Sequence, residues 1–184
     1  MKDEAYENLG WARVDEPRTG LSPSAVPDTL RIRHWLSTVP VRADGAVLSW
    51  INADHPGHAY CEAAGLWLSH ACRSSEPVLD RERAARVAGW LAAQVAPSGG
   101  VGRDGREYAF DTAVALRGLL AWRRATGTAL LDDAIRALHG FVVASIEARV
   151  AVRPEALFHP RWSERFGPHL LKAALALNEF AAMF

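Results

Sequence analysis

Phe110-Asp-Thr-Ala-Val-Ala-Leu-Arg-Gly-Leu-Leu-Ala-Trp-Arg-Arg-Ala-Thr-Gly127 is the stretch whose reading decides the fold. Apolar residues run round most of its circumference, with Arg117 as an early interruption, so it reads as a helix over about 110–125 that neighbours cover on most sides. Gly127 is placed to stop it. Working outward, a second mostly apolar helix is expected over 60–73, through Leu66, Trp67 and Leu68, and a third over 168–182. Between them lie amphipathic helices over 28–39, 80–95 and 130–147. The middle one opens on Asp80-Arg-Glu-Arg83 before turning apolar at Val87, Trp90 and Leu91.

Amphipathic and apolar helices therefore alternate, in units of about 50 residues, and this alternation points to an internal repeat. His34-Trp-Leu36, Gly89-Trp-Leu91 and Gly140-Phe-Val142 mark the amphipathic members. Loops rich in Gly or Pro follow each of them, at 42–47, 97–105 and 154–166. The predicted fold is all-α: three helical hairpins, each with a polar outer and an apolar inner helix, stacked to bury a continuous core. Residues 1–27, with Pro17, Pro23 and Pro27 and no apolar period, read as an extended arm ahead of a hairpin domain at 28–184.

Composition narrows the function classes. A chain of 184 residues with 49% hydrophobic residues can bury a full core. Twenty-one basic and twenty-one acidic residues cancel, so no global charge favours nucleic acid or an anionic membrane. Its basic residues are nearly all arginine, Lys2 and Lys172 being the lysines. No apolar run is long enough to span a bilayer, and the first residues lack a secretion signal, so the expected location is cytoplasmic. Cys61 and Cys72, on one helix, would stand roughly 16 Å apart, beyond disulfide reach, and read as buried thiols.

The 110–127 stretch, followed by Leu130-Leu-Asp-Asp-Ala134, resembles the recurring hairpin of the (α/α) toroids. These include six-hairpin glycosidases, unsaturated glucuronyl hydrolases and polysaccharide lyases, with the related barrels of terpenoid cyclases and protein prenyltransferases. His55-Pro-Gly-His-Ala-Tyr-Cys-Glu-Ala-Ala-Gly-Leu66 resembles the start of another inner helix of such a barrel. The likeness covers about 28–184 and implies an incomplete toroid, since a closed six-hairpin barrel has twelve helices and this chain reads as six. An open array leaves inner-helix faces uncovered, which predicts self-association or a helical protein partner.

In stacked hairpins the N-terminal ends of the inner helices converge on one mouth, where Glu62, Asp111 and His169 would lie. Carboxylates there are also what helix termini favour, so capping competes with chemistry for Glu62 and Asp111. The resemblance implies a glycan hydrolase or lyase with Asp111 as general acid or base, Glu62 and His169 assisting, and Tyr108, Trp50 and Trp162 as sugar-stacking platforms. Arg103, Arg106, Arg161 and Arg165 fall in the same loops and could hold a carboxylate or phosphate. His58 belongs to a His-bearing loop facing a substrate or partner. Asp54-His-Pro-Gly-His-Ala-Tyr-Cys-Glu62 is rich in potential ligands but matches no zinc spacing, so no metal is expected. Gly99-Gly-Val-Gly102 lacks the Lys-Ser or Lys-Thr of a P-loop, and no other motif calls for a cofactor. The alternative is a non-catalytic helical-repeat module that binds a peptide, glycan or protein.

Overall fold

The computed structural model describes residues 34–36, 38–49, 54, 56–73, 81–151 and 171–184. The predicted arm at 1–27, and Trp50, Trp162, Arg161, Arg165 and His169, lie outside them. The described chain is all-α, apart from one small hairpin. After a helical stretch at His34–Leu36 come α1 (Cys61–Arg73), α2 (Arg81–Ala93), α3 (Ala109–Thr126), α4 (Asp132–Ala151) and α5 (Leu171–Ala181). Between α2 and α3, β1 (Gly102–Arg103) pairs antiparallel with β2 (Arg106–Glu107). No described helix is long and apolar enough to cross a membrane.

The helices form two layers. α1, α3 and α5 lie side by side with α3 in the centre, α2 packs across α1 and α3, and α4 packs across α3 and α5. Central position explains the composition of α3: it is buried almost without interruption from Ala109 to Trp122, and small residues let its neighbours approach from several sides. The closest approach is between glycines. A Cβ on Gly65 would fall on the Val114 carbonyl, and one on Gly118 would sit 2.7 Å from the Gly65 Cα. At the other end Gly127 takes φ 73°, and its N–H closes the helix on the Arg123 carbonyl. Arg123 Nε then reaches Asp132 Oδ1 at 3.0 Å, tying α3 to the start of α4.

Hydrogen bonding makes the repeat explicit. In the first unit Gly45 N–H donates to Arg42 O, Tyr60 N–H to Val47 O and Ala64 N–H to Tyr60 O. In the second, Gly99 N–H donates to Ala96 O, Tyr108 N–H to Val101 O and Thr112 N–H to Tyr108 O. Gly45 and Gly99 both have φ 91°, and both turns press on the next outer helix: a Cβ on Gly45 would meet the Arg86 carbonyl of α2, and one on Gly99 the Ala137 carbonyl of α4. Each loop thus steps from one hairpin to the next, as in stacked repeats. The register pairs Tyr60 with Tyr108, each immediately before an inner helix. Glu62 and Asp111, expected at equivalent positions, are one residue out of step.

Phe110-Asp-Thr112 divides into three jobs. Phe110 is buried, with Lys172 Nζ of α5 4.7 Å from its ring centre. Thr112, fully buried, accepts from Val101 N–H at 3.0 Å and donates to Val101 O at 3.4 Å, which fastens the 96–101 turn to α3. Asp111 is left to face α1. Replacing Thr112 by valine keeps the shape but strands the Val101 N–H, and should cost about 1–3 kcal/mol in urea unfolding. Thr112→Ser should lose less.

Candidate functional site

Tyr60 joins the two carboxylates on which the sequence reading centred. Glu62 stands in the first turn of α1 and Asp111 in the first turn of α3, and the Tyr60 phenol lies close enough to both carboxylates to feel their charge. Burial first, then the nearby Asp111 and Glu62 charges, push the phenol well above its ordinary range. A phenol has one proton to give and lone pairs to receive another. Both carboxylates are gathered about one phenol at the start of the two inner helices.

Asp111 is 4% exposed, whereas Tyr60 and Glu62 are half-buried. Its position also argues against simple capping. The N-cap residue of α3, Tyr108, makes no side-chain cap, and its N–H, which a carboxylate three residues on could accept in a capping box, already donates to Val101 O at 3.0 Å. The α3 dipole still favours a negative charge there. Cys61 lies beside the trio with its thiol pushed up to about 11, by burial and then by Asp111; Cys72 reaches about 11 by burial. Both are free thiols on one helix, kept in the unreactive protonated form at neutral pH.

His58 continues the site outward. Its ring lies 5.6 Å from that of Tyr60, centre to centre. Arg103 Nη1 lies 3.2 Å from His58 Nε2, and because a guanidinium only donates, Nε2 accepts. The neutral ring then carries its proton on Nδ1 and donates to Ser49 Oγ at 3.1 Å. Arg103 and Arg106 are cross-strand partners on the hairpin, whose tip Asp104-Gly105 has φ of 56° and 73°, a two-residue turn that suits tight antiparallel strands. Both arginines are exposed and line a recess of about 190 Å³.

The structure therefore brings together Glu62 with Asp111, and His58 with Arg103 and Arg106. Tyr108, at 6% exposure, is packed inside. Its repeat counterpart Tyr60, absent from the sequence reading, occupies the site instead. Among the described residues no group of three His, Cys, Asp or Glu side chains converges as a metal site would.

Folding holds these thiols and the phenol protonated, so their contribution to stability is complete below pH 9.0, the ordinary thiol value. It is lost as pH rises through the raised values of the folded state. Urea midpoints should be level near neutrality and fall between pH 9 and 11, and Cys61→Ala with Tyr60→Phe should flatten the fall.

No known family model, curated protein or solved structure matches this chain.

Proposed function

We propose that the chain is a glycan-processing enzyme, hydrolase or lyase-like, whose acid–base unit is Asp111, Tyr60 and Glu62. One observation carries this reading: a nearly buried carboxylate and a second, more exposed one gathered about the same phenol. Glycoside cleavage needs a group that gives a proton to the leaving oxygen and one that takes a proton from water or from the sugar. Glu62, half-buried at the mouth, is the group that meets substrate, and Asp111 holds the charge behind it. Arg103 and Arg106 supply donors for polar or anionic groups on the substrate.

A non-catalytic binding module is the second reading, favoured by apolar residues left exposed on inner helices: Leu66 at 47%, Leu171 at 65% and Leu175 at 47%. On either reading the chain associates with itself or with a helical partner. The test is turnover of aryl glycosides and polyuronates, followed as released phenol and as the ultraviolet absorbance of unsaturated products. Cleavage that Asp111→Asn removes supports the enzyme; a wild-type chain that retains glycans but cleaves none supports the module.

A further inference from the structure

The chain contains the same groove twice filled and once open. α1 sits against the α2 and α3 pair, and α3 sits against the α4 and α5 pair. Beside α1 and the His34–Leu36 stretch lies a groove of about 310 Å³, lined by Trp35, Leu36, Val47, Leu66, Trp67 and His70 among others. The repeat register identifies it as the first member of the series. With Tyr60 equivalent to Tyr108, Leu66 corresponds to Val114 and His70 to Gly118, the two places where α3 meets Gly65 of α1. Val114 is 1% exposed because α1 covers it, whereas its counterpart Leu66 is 47% exposed. Val101 and its counterpart Val47 are equally buried, at 1% and 2%, so the difference lies at the inner-helix face and at Leu36, half-buried where Leu91 is fully buried.

The far end of the array has the complementary surface. α5 buries Ala173 and Ala176 and exposes Leu171, Ala174, Leu175 and Asn178. Those four recur at the i, i+3, i+4, i+7 spacing of one helix face and include no charge. Among the described groove residues only His70 can carry a charge.

We propose that α5 of a second copy occupies this groove, with Leu171 and Leu175 over Leu66 and Trp35, so that copies join head to tail and repeat between chains the contact made within each chain. Such a junction is heterologous: it uses two different faces, and it ends in a ring or a chain according to the rotation at each step. The inference rests on the association proposed above and is independent of the acid–base chemistry.

Light scattering on the full chain at tens of micromolar tests it, using Leu66→Glu, Leu175→Glu and their equimolar mixture, with circular dichroism to show that each variant keeps its helices. Both changed residues are exposed, so folding should survive. The expected result is a wild-type mass of two chains or more, each variant alone at one chain, and recovery of a two-chain species in the mixture. Recovery follows because Leu66→Glu still offers α5 while Leu175→Glu still offers the groove. A monomeric wild type overturns both the association and this junction. Variants that keep the wild-type mass, or a mixture that stays monomeric, overturn the junction alone and leave another face to make the contact.

Discussion

Valine at Gly65 should prevent α1 and α3 from meeting and leave the chain unfolded or at the edge of folding. The first added carbon already falls on the Val114 carbonyl, with Ala115 N 2.9 Å away, so backbone would have to move against backbone. Overpacking of ordinary cores costs about 1–3 kcal/mol and occasionally more, and a rigid helix crossing with no side chain to yield belongs at the upper end. Total stabilities are about 5–15 kcal/mol, and α1 on α3 is the most extensive helix pairing in the fold. Gly65→Ala should be milder, since alanine recovers about 1 kcal/mol of helix propensity. Gly89 and Gly140 serve as controls, because a Cβ there meets nothing within 4 Å. Alanine at either should leave stability unchanged or raise it by about 0.4–1 kcal/mol. Urea unfolding of the four variants separates packing from propensity.

Asp111→Asn should remove turnover while sparing the fold. Asparagine keeps the shape, but it cannot take up or release a proton at the pH of the reaction. Losing a positioned acid–base group costs about 10²–10⁴ in rate. Were Asp111 only a helix cap, turnover would stand and the melting temperature would fall. Tyr60→Phe should slow turnover by a smaller factor, since water can stand in for the hydroxyl, and should raise the reactivity of neither cysteine.

Much of the fold was legible because helix-forming patterns here are local. The apolar run of α3 and the Gly127 stop placed that helix nearly to its ends, and the helix expected over 130–147 is α4, at Asp132–Ala151. The register of the repeat was not, because the connection from Val47 to Tyr60 is longer than that from Val101 to Tyr108, and matching acidic residues hid the offset. Two tyrosines, each one residue before an inner helix, were the available signal. The hairpin at Gly102–Glu107 was missed for a different reason: its strands are two residues each and expose Arg103, Arg106 and Glu107, so no apolar alternation announces them. Burial of Tyr108 and partial exposure of Tyr60 depend on where α1 and α3 cross, which no local pattern records.

The proposed acid–base role of Asp111, Tyr60 and Glu62 is tested most directly by the turnover of Asp111→Asn, Tyr60→Phe and the double variant on a glycan that the wild type cleaves. Groups that act as a unit lose their rate once, so the double variant should be no slower than Asp111→Asn alone. Losses that multiply would show the two residues working independently and would contradict the proposed unit.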